Sequence, residues 1–105
     1  MKPRKVGDLD PITATLYTNG APRDLTGSTV ALFMRNRATR DLKINGAAVT
    51  IVTPTAGTVS YTPSAGDVDT EGFYDLEWKE TTLAGKPRHF PNDGFEPLVL
   101  EAPLG

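Results

Sequence analysis

The sequence predicts an all-β domain, an antiparallel sandwich of roughly seven or eight short strands held without a disulfide. Three observations predict it. Ten Gly and nine Pro in 105 residues break the chain too often for long helices. Between the breaks lie short runs rich in Thr, Val, Ile, Tyr and Phe, which fit a pleated, half-buried surface. Within those runs apolar and polar side chains alternate with a period of two.

Residues 1–10 carry no period and read as an arm, flexible or ordered by a partner, ahead of a sandwich over 11–101 and a tail over 102–105. Met-Lys-Pro-Arg-Lys is followed by Val-Gly-Asp and not by an apolar stretch, so the arm does not read as a signal peptide. From Ile12 the alternation begins, with Ile12, Ala14 and Leu16 inward and Thr13, Thr15 and Tyr17 outward. Asn19-Gly20 ends this strand, because both residues accept the positive φ of a tight turn. Leu25 stands alone in a polar connection and is expected to plug the end of the sandwich.

Val30, Leu32 and Met34 share one face of the next strand, and Ala31 and Phe33 the other, so both sides are expected to be covered. Arg35 to Arg40 form a basic connection. Leu42 and Ile44 make a short strand, Asn45-Gly46 the strongest hairpin signal in the chain, and Val49 and Ile51 the return. Pro54 to Gly57 turn the chain into a strand carrying Val59 and Tyr61. The stretch from Pro63 to Glu71 is too long for a hairpin and reads as a crossover with one helical turn started by Pro63 and Ser64. The clearest strand follows: Gly72, Tyr74, Leu76 and Trp78 inward, Phe73, Asp75, Glu77 and Lys79 outward. His89 and Phe90 lie in a returning strand, Asn92-Asp93-Gly94 in a turn, and Leu98 and Leu100 alternate with Val99 and Glu101 in the last strand. Strands at this spacing argue for the immunoglobulin-like type of sandwich, with Trp78 at the centre of a core made by apolar packing alone.

A hydrophobic content of 38% with 23% charged residues is a globular composition. The formal net charge of -2 gives no footprint for nucleic acid or an anionic membrane, and neither is expected as a partner. No run approaches the ~18–20 apolar residues of a membrane-spanning helix. The absence of Cys excludes a disulfide framework, a thiolate metal site and a Cys nucleophile.

Catalysis needs convergent groups that this chain is short of, so no enzyme activity, cofactor or metal is expected. A single His, His89, cannot build a His-based metal cluster and reads as a structural or solvent-facing residue. Ser28, Ser60 and Ser64 lack the nucleophile-elbow setting, and no glycine-rich phosphate loop occurs. Asp67, Asp69 and Glu71 could hold a hard cation such as Ca²⁺, but their spacing is not that of an EF-hand, and ordinary loop polarity is the preferred reading. Lys2, Arg4 and Lys5 form a basic arm, and Arg35, Arg37 and Arg40 a second basic patch without interleaved aromatics to stack bases. The bland reading of both is solvated surface; the functional one is a salt-bridging contact to a neighbouring subunit. Phe73 and Val99, outward by alternation, would be better interface anchors than any charge.

Several phrases follow one another along the chain: Gly7-Asp8, Ile12-Thr13-Ala14-Thr15-Leu16-Tyr17, Asp24-Leu25-Thr26-Gly27-Ser28-Thr29-Val30 and Phe33-Met34-Arg35. Then follow Val49-Thr50-Ile51-Val52, Gly57-Thr58-Val59-Ser60-Tyr61, Gly72-Phe73-Tyr74 with Glu77-Trp78, and Phe90-Pro91-Asn92-Asp93-Gly94-Phe95. In this order, over about residues 7–101, they resemble a family of bacteriophage structural domains, the immunoglobulin-like module at the N-terminus of the phage baseplate upper protein. Pro97 departs from the pattern where the family continues a β-branched strand, which predicts an edge or a bulge there.

The resemblance implies a building block of a virion, assembled in the host cytoplasm: a tail, baseplate, connector or capsid-surface protein. It would be present in many copies and in contact with other virion proteins. The competing expectation is a carbohydrate- or host-surface-binding module, for which Tyr17, Phe73 and Phe95 are the aromatic candidates. The arm and the sheet edges are the expected contact elements, with strand addition as one mode.

Overall fold

The computed structural model describes residues 4–91 and 96–102. Period-two alternation is what builds it. The strands are β1 (Arg4–Lys5), β2 (Ile12–Thr15), β3 (Tyr17–Thr18), β4 (Ala21–Pro22), β5 (Thr29–Asn36) and β6 (Leu42–Ala48). They continue as β7 (Thr50–Thr53), β8 (Thr58–Tyr61), β9 (Gly72–Thr81), β10 (Pro87–Phe90) and β11 (Glu96–Glu101). One sheet runs β1-β11-β9-β5-β6, with β10 pairing on β9 beyond the end of β11, and the second runs β2-β8-β7. Leu32, Met34, Tyr74, Leu76 and Trp78 of the first sheet share one buried cluster with Ile12 and Val59 of the second. The fold is therefore all-β, two sheets closed on a common core. Their membership follows the immunoglobulin-type order, in which the second, fifth and fourth major strands face the third, sixth and seventh.

Each long strand buries the set that alternation selects. Val30, Leu32 and Met34 are buried on β5, while Ala31 and Phe33 on its other face are half-buried. On β9 Tyr74, Leu76 and Trp78 are buried, Trp78 to 1% exposure. The inward series runs one place further than expected, to Glu80 at 0% exposure. Its carboxylate is satisfied on both oxygens, accepting from Arg23 Nε at 3.1 Å and from the Ser28 hydroxyl at 2.6 Å. Leu25 is buried as expected, tied by its N–H to the Pro54 carbonyl at 2.8 Å.

One connection comes out as expected. The Pro63–Glu71 crossover carries a single 3-10 turn, Ala65–Asp67, closed by a reciprocal capping box between Ser64 and Asp67. After it the Tyr74 hydroxyl donates to the Thr70 carbonyl at 2.8 Å. That is the tyrosine corner of immunoglobulin-type sandwiches, pinning the entry to β9 from the crossover.

Three expectations are corrected. Asn45-Gly46 is not a hairpin. β6 runs straight through it, and the register on β5 jumps from Leu32–Ala47 to Phe33–Asn45. Gly46, at φ 74°, is thus the extra residue of a bulge, and a Cβ there would come within 3.3 Å of the Phe33 ring. The chain then changes sheets at Val49, so β6 and β7 are successive strands of opposite sheets.

Residues 4–10 are not an arm. Arg4 and Lys5 pair in parallel with Leu100 and Glu101, the Val6 N–H donates to Glu101 O at 2.8 Å, and the Gly7 N–H to Val68 O at 2.8 Å. Backbone pairing onto an edge strand needs no side-chain period, so none was visible. For the same reason the sandwich is not wholly antiparallel. Finally, Asn19-Gly20 does more than end a strand: both residues have positive φ, and they close a two-residue hairpin of Tyr17–Thr18 on Ala21–Pro22. Pro97 lies opposite Asp75 on a part of β11 that β1 does not reach, the edge position its ring requires. The expected turn at Asn92-Asp93-Gly94 lies outside the described residues.

Candidate interaction surface

The outward residues of β5, β6, β9 and β11 form one continuous face of the large sheet, and the predicted contact residues Arg35, Arg37, Phe73 and Val99 gather there. Val99 stands opposite Phe73, Pro97 opposite Asp75, Arg35 opposite both Asp75 and Leu42, and Phe33 opposite Glu77. At the centre Asp75 is shared by two guanidinium groups. Arg35 Nη2 donates to Oδ2 at 3.2 Å, and Arg37 donates to Oδ1 from Nη2 at 2.9 Å and from Nε at 3.1 Å. Burial opposes the ionisation of Asp75, but the hydrogen bonds and charges of Arg37 and Arg35 outweigh it and hold the carboxyl below its ordinary range.

Two apolar spots flank this charged centre. On one side Phe73 projects with 60% of its surface exposed, beside half-buried Val99. On the other, Phe33 and exposed Leu42 line a depression of about 270 Å³ with Arg35, Asp75 and Glu77. Further along β9, Glu77 Oε1 lies 2.8 Å from His89 Nδ1, so His89 is a surface partner of a carboxylate.

The basic residues divide. Arg35 and Arg37 belong to the central face. Arg40 is exposed at the β5–β6 turn, with φ 68° and its N–H donating to Asn36 O at 2.8 Å. Lys5 pairs with Glu101 at 3.6 Å on the sheet edge. The Arg4 guanidinium folds the segment after β1, donating to the carbonyls of Asp8 at 3.3 Å, Asp10 at 2.7 Å and Pro11 at 3.1 Å. Lys2 lies outside the described residues.

The acidic loop is engaged by its own neighbours. Asp67 Oδ2 accepts from the Tyr61 hydroxyl at 2.6 Å and from the Ser64 N–H at 2.9 Å. Burial and Asp67 together push the Tyr61 hydroxyl up to about 12. Asp69 pairs with Lys43, which together with the Thr70 hydroxyl lowers its pKa. Among the described residues no group of three side chains able to hold a metal comes together.

A second feature was not anticipated. Between β2 and the β10–β11 side of the large sheet lies a cleft of about 410 Å³, lined by Leu16, Tyr17, Trp78, Phe90, Pro91 and Glu96 among others. Trp78 contributes only its buried edge, its Nε1–H donating to Glu96 Oε2 at 3.1 Å. Tyr17 lines this cleft and Phe73 the far end of the outer face, so the aromatic candidates do not converge on one platform; Phe95 lies outside the described residues. No helix among the described residues is long and apolar enough to cross a membrane. No family model and no curated protein matches the chain.

Proposed function

We propose that the chain is a structural component of a bacteriophage virion, at the tail, baseplate, connector or capsid surface, acting through protein–protein contacts and without catalysis. The observation that carries this reading is the outer face of the large sheet. An exposed Phe73 with Val99 beside it, and a Phe33–Leu42 spot, flank a fixed charge cluster on a rigid sheet. Such a surface presents exposed apolar anchors on either side of a charge cluster that can set the register of a partner. The ordered phrases resembling the phage module supply the setting, and repetition of one subunit in a symmetric assembly supplies the need for a flat contact face.

The partners are other virion proteins, and the site of action is the particle, assembled in the host cytoplasm. Mass spectrometry of gradient-purified particles from the phage that encodes the chain tests this. Its peptides are expected in the particle band in the proportion of a repeated subunit; their confinement to the unassembled fraction would overturn the reading.

A further inference from the structure

The edges of the two sheets are not protected alike. β1 ends the large sheet with Arg4 and Lys5, and β10 carries Pro87, Arg88 and His89. β6 is kinked by its Gly46 bulge, and β7 has a register shift between Ile51 and Thr53 followed by Pro54. These are the devices by which sheets blunt an exposed edge. β2, Ile-Thr-Ala-Thr, has none of them: it is uncharged, free of proline and regular in register along β8. Among the described residues no strand pairs on its other side.

The direction of the unused backbone groups follows from one hydrogen bond. Leu16 N–H donates to the Gly57 carbonyl at 2.8 Å, in the same register that pairs Ala14 with Val59 and Ile12 with Tyr61. Backbone groups of alternate residues point to the same neighbour, so Ile12 and Ala14 face β8 while Thr13 and Thr15 turn N–H and C=O to the open side. That side borders the cleft of Tyr17, Trp78, Phe90, Pro91 and Glu96. Glu96 lies half-buried there, with the Trp78 indole as its hydrogen-bond donor and no ion pair among the described residues. An apolar cleft holding a carboxylate with no cation beside it among the described residues fits an occupant with small apolar side chains and one basic group.

We infer that β2 is an acceptor edge for an extended segment of a partner protein, which adds a strand through Thr13 and Thr15 and sets a Lys or Arg against Glu96. This deepens the virion reading by naming the kind of contact a partner makes. The recognition is main-chain pairing for affinity and the Glu96 cleft for register and selectivity.

The test is a titration of the purified full chain with the synthetic peptide Ac-Val-Thr-Arg-Thr-Val-amide, whose alternation sets both Val side chains and the Arg on one face, followed by amide NMR. Saturable shifts are expected at Thr13, Thr15 and the Trp78 indole N–H. Glu96→Gln keeps an acceptor for the indole and is expected to weaken binding about threefold to tenfold. Thr13→Pro removes an outward N–H without touching the β8 pairing and should abolish saturation. A peptide N-methylated at both Thr residues, whose N–H groups face Thr13 and Thr15 in an antiparallel pair, should fail equally against wild-type protein, which covers the case of a poorly folded proline variant. The inference is overturned by absence of saturable shifts, by equal binding of a peptide with Glu in place of Arg, or by peptide-independent, concentration-dependent shifts at Thr13 and Thr15 that make a second copy the occupant. None of these outcomes depends on finding the chain in particles, so the two readings fail separately.

Discussion

The two faces of β9 are made from adjacent residues of one strand and do opposite work. Inward, Tyr74, Leu76, Trp78 and Glu80 are buried, and each polar atom that goes with them has a designated partner: Thr70 O, Glu96, Arg23 and Ser28. Outward, Asp75 bonds to the Arg35 and Arg37 guanidinium groups and Glu77 to the His89 ring, and Phe73 has no cover over most of its ring. The comparison teaches that folding energy and contact capacity are separated by a half-period of the strand. Substitutions one residue apart should therefore differ in kind and not only in size.

The largest expected effect comes from Trp78→Ala, which empties the centre of the core and removes the donor to Glu96. It should cost about 3–5 kcal/mol, read as the shift in a urea unfolding midpoint. Glu80→Ala should follow, at about 3 kcal/mol, because it strands the partly buried Arg23 guanidinium and the Ser28 hydroxyl; calorimetric melting would show it. A loss under about 0.5 kcal/mol for either variant would break the inner half of the comparison. Tyr74→Phe keeps the ring and deletes only the hydrogen bond to Thr70, for about 1 kcal/mol.

On the outer face the effects shrink. Asp75 has its pKa depressed in the folded state, so its stabilisation is complete above the unfolded value of about 4 and is lost as pH falls through the lower folded value. Asp75→Asn should therefore lower stability at neutral pH by about 1 kcal/mol and leave a shallower loss below pH ~4, measured by unfolding at a series of pH values. A steeper acid limb in the variant would contradict the ion-pair assignment. The smallest change in stability belongs to Phe73→Asp, within about 0.5 kcal/mol of wild type.

Legibility in the sequence followed the same division. Strands that bury one face announced themselves: β2, β5, β9 and β11 carry the alternation that sets their orientation, and Leu25 stood out as a lone apolar residue. What stayed hidden has no side-chain period. β1 is fixed by backbone pairing with Leu100 and Glu101, and Arg4 is spent on three carbonyls that only the fold brings together. Asn45-Gly46 carries the same left-handed preference for a bulge as for a hairpin, and the choice rested on the close approach of Phe33.

Glu80 was legible in principle, being two residues beyond Trp78 on the buried face, but a carboxylate there is predicted inward only if its partners, Arg23 and Ser28, are known. Alternation marked Phe73 and Val99 as outward, and the register of β11 on β9 sets them opposite each other. The cleft beside β2 was not, since its walls come from three distant segments.

The most direct test of this separation is the amount of Phe73→Asp protein that co-sediments with assembled particles, measured beside its melting temperature. The account predicts wild-type melting with incorporation reduced severalfold. Wild-type incorporation, or loss of incorporation only because the variant unfolds, would contradict the assignment of the outer face to partner contact.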